Sequence, residues 1–181
     1  PGGWMGVHIS GQTMCIVGAG RIGLAVARRA VAFGMRVTYV ARSTHAEFES
    51  PSIGARRVTL DDGLATADAV SIHTPLTPQT RGLIGARELA LMKPTAVLVN
   101  TARGPIVDEA ALADALQRRA IWGAGLDVFE REPIVHPGLA ALDNVVLTPH
   151  IGSAEAFWRR RMTEMVRDNA LAMLNGRTPP N

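Results

Sequence analysis

The stretch Thr13-Met-Cys-Ile-Val17-Gly18-Ala-Gly20-Arg21-Ile22-Gly23-Leu-Ala-Val26-Ala-Arg-Arg-Ala30-Val-Ala-Phe33-Gly34 decides the fold. Its first five residues form an apolar run with strand character, and a glycine-rich turn separates them from the helical spacing of Ile22, Val26, Ala30 and Phe33. Gly34 reads as the stop of that helix, and the β-branched run Arg36–Val40 as a second strand. Two strands joined through a helix in this way lie parallel, because only a crossover connection brings the chain back in the same direction.

Within the turn, Gly18, Gly20 and Gly23 make the pattern G-x-G-x-x-G between strand and helix. In that context the first glycine makes the tight turn and the second lets backbone approach a pyrophosphate. The third packs helix against sheet, and the helix N-terminus stabilises the negative charge. The end of the second strand, where an NAD site places a carboxylate on the adenine ribose, reads Val40-Ala41-Arg42-Ser43 and offers none. Arg42 suits a ribose 2′-phosphate through a charge-assisted contact, with Ser43 adding a hydroxyl. The expected cofactor is therefore NADP, with NAD as the alternative.

Outward from this unit, residues 43–54 are polar and punctuated and read as a loop. Residues 60–67 read as a short helix with Asp61 and Asp62 at its favourable N-terminal end, and Ala69–Ile72 as a strand. Residues 73–82 contain Pro75 and Pro78 and are expected to be irregular. Helices follow at 85–92, at 108–117 with Leu112, Ala115 and Leu116 on one face, and at 155–175 with Gly176 as its stop; strands follow at 96–100, 123–128 and Val145–Leu147. This alternation predicts an α/β, doubly wound parallel sheet of the Rossmann type. The expected organisation is a linker at 1–11, a dinucleotide-binding domain at 12–176 and a tail at 177–181.

The chain has 181 residues, 47% hydrophobic and 19% charged, with mean hydropathy +0.12. That is enough apolar side chain for one core, in a length that one core commonly serves, and it argues against disorder. Apolar runs such as 96–99 and Val145–Leu147 fall far short of the roughly 20 residues that span a bilayer, so no membrane segment is expected. The start, 1–5, lacks the basic-then-apolar pattern of a secretory signal, and the lone Cys15 has no partner for an internal disulfide. Both lead to a cytoplasmic expectation.

A net charge of +3 includes only one dense basic run, Arg159 to Arg161, without interleaved aromatics. It reads as a solvated helix face and not as a nucleic-acid surface. His8, His45, His73 and His136 have no metal-ligand spacing with carboxylates or with Cys15, so no metal is expected.

Three further motifs follow in order: Leu98-Val-Asn-Thr101-Ala102-Arg103-Gly-Pro-Ile-Val-Asp108, Gly125-Leu-Asp127-Val-Phe-Glu130-Arg-Glu132-Pro133, and Thr148-Pro-His150-Ile-Gly152. With the glycine signature, and over about Trp4 to Gly176, the chain resembles the NAD(P)-binding domain of the D-isomer-specific 2-hydroxyacid dehydrogenases, in particular the glyoxylate/hydroxypyruvate reductase-like members.

The resemblance implies a catalytic set of Arg103, Glu132 and His150. His150 is then the general acid/base, a task that imidazole suits near neutral pH. Glu132, chosen over Glu130 by the motif's register, is its carboxylate partner and favours the protonated ring. Arg103 matches the arginine that binds a substrate carboxylate and polarises its carbonyl, for which a planar, permanently charged fork is suited. Arg21 and Ile22 match positions at the pyrophosphate, Thr74 one beside the nucleotide, Thr101 and Asp127 ones near the carboxamide end, Ala102 a further cofactor-binding position, and Gly152 one that follows the catalytic histidine.

The implied partners are a small 2-oxo or 2-hydroxy acid and a second copy of the chain, a homodimer through the cofactor domain. The family's separate substrate domain is expected to be absent from this chain, with residues 1–11 resembling only the linker into the cofactor domain. A departure from the family is the apolar helix start Ala156-Phe157-Trp158. The competing reading is a non-catalytic nucleotide-sensing or interaction domain of the same fold.

Overall fold

The computed structural model describes residues 6–181, so residues 1–5, which carry the secretory-signal reading and the start of the expected linker, lie outside the described residues. The described residues up to Pro149 form one compact unit, and His150–Asn181 form a second.

In the first unit, β1 (Thr13–Val17), α1 (Arg21–Ala32) and β2 (Arg36–Val40) form the expected strand-helix-strand unit. The strands pair in parallel, from Thr13 opposite Arg36 to Val17 opposite Val40. The chain continues through α2 (Ala46–Glu49), β3 (Arg56–Arg57), α3 (Leu60–Thr66), β4 (Ala69–Ile72), α4 (Ala86–Leu91) and β5 (Val97–Asn100). A 3-10 turn at Gly104–Ile106 precedes α5 (Glu109–Gln117), β6 (Gly123–Leu126), α6 (Pro137–Ala140) and β7 (Val145–Leu147). The seven strands form one sheet in the order β3-β2-β1-β4-β5-β6-β7, and every pairing is parallel. Strand order reverses at β1 and β4, the switch point where ligands of doubly wound sheets bind.

Alternation along β1 explains why the sheet is covered on both sides. Cys15 and Val17 enter one apolar cluster with Leu64 of α3, Leu89 of α4 and Leu112 and Leu116 of α5. Ile16 between them enters a second, with Leu24 and Ala27 of α1, Tyr39 of β2 and Phe48 of α2. Cys15 is fully buried, and burial pushes its thiol up to about 11, so it behaves as a small core hydrophobe.

Two sequence expectations need correction in detail. The buried face of α1 is Gly23, Leu24, Ala27 and Ala30, whereas Ile22 and Phe33 are 68% and 63% exposed. The small residues of this helix let its backbone approach the sheet, and that shifts the apolar stripe by about one position. The stretch 43–54 contains α2, because Phe48 is buried against the Tyr39 ring at a centroid distance of 4.8 Å. The two-residue β3 and the one-turn α6 are too short for any periodicity to announce them.

The second unit carries α7 (Ala156–Leu174), capped by the Glu155 carboxylate, which accepts from the Phe157 and Trp158 amides. Gly176, at φ 66°, follows the helix end. No residue of α7 is buried, and Phe157 and Trp158 meet edge to face in the open with ring centroids 5.1 Å apart. Among the described residues, no helix is long and apolar enough to cross a membrane.

Candidate functional site

The glycine signature is built as backbone contact. Gly18 has φ 109°, and a Cβ there would lie 2.5 Å from the Thr74 amide nitrogen and 2.6 Å from the His73 carbonyl carbon. The loop after β1 therefore rests directly on the chain leaving β4, at the switch point. A Cβ on Gly23 would collide with the Gly18 carbonyl oxygen. Gly20 differs: nothing lies within 4 Å of its added Cβ, so no contact inside the protein requires a glycine. It is the N-cap of α1, without a side-chain cap and without an acidic residue in the first turn. The positive end of the helix dipole is thus left uncompensated by any side chain, next to the exposed Arg21 and Ile22. Two glycines forced by packing and a third facing open space make a cradle that fits a dinucleotide's pyrophosphate.

At the end of β2 the chain passes a partly exposed Ala41 to an exposed Arg42 and an exposed Ser43. This segment is held from behind, where the His45 amide donates to the Tyr39 hydroxyl at 3.0 Å and that hydroxyl donates to Glu49 at 2.8 Å. Arg42 makes no hydrogen bond or ion pair through its side chain among the described residues.

After β5, the buried Asn100 organises the loop that carries Thr101, Ala102 and Arg103. Its side-chain oxygen accepts from the Ala102 amide, and its side-chain nitrogen donates to the Arg103 carbonyl, both at 3.0 Å. Thr101 and Arg103 are exposed, and the Arg103 guanidinium donates to the Ala102 carbonyl at 2.6 Å. After β6, Asp127 is buried and accepts from the Thr148 hydroxyl at 2.5 Å. Glu132 accepts from the Phe129 amide at 3.1 Å, and the Glu132–Pro133 peptide is cis.

These two loops are joined by contacts that no local sequence pattern announces. The Glu109 amide at the start of α5 donates to the Glu130 carboxylate at 2.8 Å, and the Glu130 amide donates to the Glu109 carboxylate at 2.6 Å. Burial pushes the Glu109 carboxyl above its ordinary range; the hydrogen bond from Glu130 opposes this, and the charge of Glu130 reinforces it. Glu130 is thus committed to α5. Gly104 lies against the Phe129–Glu130 backbone so closely that an added Cβ would overlap the Phe129 carbonyl. The G-x-x-x-x-E spacing of Gly104 and Glu109 was visible in the sequence, but nothing local assigned it to a loop distant in sequence.

Gly18, Arg42, Thr74, Thr101, Arg103 and Asp127 thus all follow the carboxyl ends of strands of one sheet. His150 opens the second unit with φ 53°, and Gly152 follows it; both are exposed. Among the described residues, no group of three or more His, Cys, Asp or Glu side chains is placed to hold a metal ion.

Residues 1–152 match the family model described as D-isomer specific 2-hydroxyacid dehydrogenase, NAD binding domain. The chain is 50% identical over 177 residues to a glyoxylate reductase of Thermococcus onnurineus, covering 98% of this chain and 53% of that one. It is 49% identical over 180 residues to glyoxylate/hydroxypyruvate reductase B of Serratia proteamaculans, covering 98% and 55%. Among solved structures, the NAD-complexed D-isomer specific 2-hydroxyacid dehydrogenase of Lactobacillus delbrueckii ssp. bulgaricus superposes with a TM-score of 0.87 at 34% identity, covering 99% of this chain and 58% of that one. The chain spans about half the length of the curated relatives it matches. With a family model matched over most of its length, a seven-stranded parallel sheet and a glycine cradle at the switch point, the chain belongs to the NAD-binding domain family of the D-isomer specific 2-hydroxyacid dehydrogenases.

Proposed function

We propose that this chain is the cofactor-binding part of a cytoplasmic oxidoreductase that interconverts a small 2-oxo acid and its D-2-hydroxy acid, with glyoxylate or hydroxypyruvate as substrate and NADP preferred to NAD. The observation that carries the reading is the glycine cradle at the switch point, with the Asn100-braced Arg103 loop two strands away along the same sheet edge. The printed activities of the two reductases support the substrate class. Arg42, in place of a carboxylate at the end of β2, supports NADP.

In this reading Gly18, Gly20, Arg21, Ile22 and Gly23 hold the pyrophosphate, Arg42 and Ser43 the 2′-phosphate, and Thr74, Thr101, Ala102, Asp127 and Gly152 the nicotinamide half. When bound, the reduced cofactor supplies the hydride that reduces a substrate carbonyl carbon. Arg103 binds the substrate carboxylate and polarises the carbonyl oxygen. His150 delivers the proton that this oxygen takes up, and Glu132 keeps the ring oriented and protonated. The commitment of Glu130 to α5 supports Glu132 as the carboxylate in that role. A homodimer belongs to the same reading, supported by the exposed Phe157, Trp158, Met162 and Val166 of α7.

The test is oxidation of NADPH by the protein on addition of glyoxylate, followed by the loss of the reduced cofactor's absorbance, with His150→Ala and Arg103→Gln beside wild type. Turnover that either substitution lowers by at least about a hundredfold is expected. NADPH binding without turnover would move the assignment to a nucleotide-sensing domain.

A further inference from the structure

β3 is only two residues long, and both are arginines. It pairs with β2 in parallel, Arg56 opposite Thr38 and Arg57 opposite Tyr39, at the edge of the sheet next to the end of β2. Beside that end lies a cleft of about 720 Å³, and Arg56 and Arg57 both line it, with Ala41 and Thr44. Arg42 falls between those last two residues in the chain. The remaining lining is apolar on one side, where Val40, Val58 and Leu60 contribute. A Cβ on Gly63 of α3 would lie 3.4 Å from methyl groups of both Val40 and Val58, so these side chains form one surface toward that helix.

The charged lining of this cleft is mainly basic. Arg56 and Arg57 are exposed, and among the described residues neither makes an ion pair or a side-chain hydrogen bond. Other arginines of this unit are paired: Arg87 with Asp61 and Glu88, Arg118 with Asp114 and Arg119 with Asp143. Asp62, the acidic residue of the lining, accepts the Thr59 hydroxyl at 2.7 Å. The two lining arginines outnumber that one carboxylate, and Arg42 adjoins the lining residue Ala41 in the chain. An apolar wall beside such a cationic rim suits a flat base carrying a phosphate monoester, whose charge is about −1.5 to −2.

We infer that Arg56 and Arg57 of β3, together with Arg42, form the pocket that recognises the 2′-phosphate on the adenine ribose of the cofactor. The inference rests on the NADP reading above and adds to it that selectivity is shared between two strands. The loop after β2 does not carry it alone. Guanidinium forks are suited to a phosphate because each can offer two parallel N–H donors.

The test uses adenosine 2′,5′-bisphosphate and adenosine 5′-monophosphate as probes, titrated into the wild-type chain, into Arg42→Ala and into the double variant Arg56→Ala/Arg57→Ala. Both β3 side chains are exposed, so the double variant is expected to keep the wild-type thermal midpoint, and that is measured first. The expected result is that wild type prefers the bisphosphate, and that the double variant loses about tenfold or more of its affinity for it while binding the monophosphate as wild type does. A preference that survives in the double variant but disappears in Arg42→Ala would overturn the inference and leave the NADP reading standing. Equal loss for both probes would mean that the arginines stack on the base, which also overturns it. Wild type that does not distinguish the probes would remove the NADP reading and the inference together.

Discussion

Gly104 and Phe129, 25 residues apart in the chain, meet backbone to backbone: the space a Cβ on Gly104 needs is occupied by the Phe129 carbonyl group. This contact fixes the loop bearing Arg103 to the loop bearing Glu132, and the reciprocal Glu109 and Glu130 hydrogen bonds brace the same junction. Gly104→Ala is therefore expected to lower stability by about 3 kcal/mol, at the upper end for overpacking, because the obstacle is backbone and cannot rotate away. Chemical denaturation measures it. A loss below about 1 kcal/mol would mean that the two loops separate easily.

The three signature glycines separate into two kinds. Gly18→Ala and Gly23→Ala each place a methyl group against backbone, and Gly18 also has positive φ, so both are expected to destabilise the fold by about 2 kcal/mol or more. Gly20→Ala meets nothing, and its φ of −84° is ordinary, so its cost to stability is expected to stay within about 1 kcal/mol while dinucleotide affinity falls. Thermal melts paired with cofactor titration separate the effects. Gly20→Ala with undiminished affinity would contradict a pyrophosphate at this position.

His73 gives the fold a predictable acid sensitivity. Burial holds its pKa below the ordinary histidine value, and its Nε2 is 2.8 Å from the Ser71 hydroxyl. A histidine with a depressed folded-state pKa contributes stability that is present above its unfolded value, near 6.5, and is lost as pH falls through the folded value. Denaturation midpoints are expected to drop on acidification below about pH 6.5 more steeply in wild type than in His73→Gln. Parallel curves for the two proteins would exclude His73 as the source.

The central strand-helix-strand unit was legible in the sequence because each feature there is local: an apolar strand, a glycine turn and a second strand of β-branched residues. The element α2 was hidden because a single apolar anchor, Phe48, decides it, and its partner Tyr39 lies on another element. The exposure of Ile22 could not be read from spacing, since the small residues Gly23 and Ala27 take the buried positions. On the site, the positions after each strand were readable from the motifs, but the bracing by Asn100, Gly104, Glu109 and Glu130 joins segments that no local pattern connects. The basic pair of β3 escaped notice for a related reason: two adjacent arginines acquire meaning only when the sheet places them beside the end of β2.

A phosphate-selective nucleotide site at the end of β2 is the feature on which the proposed activity most depends. Calorimetric titration of the chain with NADPH and with NADH, for wild type and Arg42→Ala, tests it directly. Tighter binding of NADPH by wild type, with the difference reduced in Arg42→Ala, is the predicted result, whereas equal affinity for the two cofactors in wild type would contradict it.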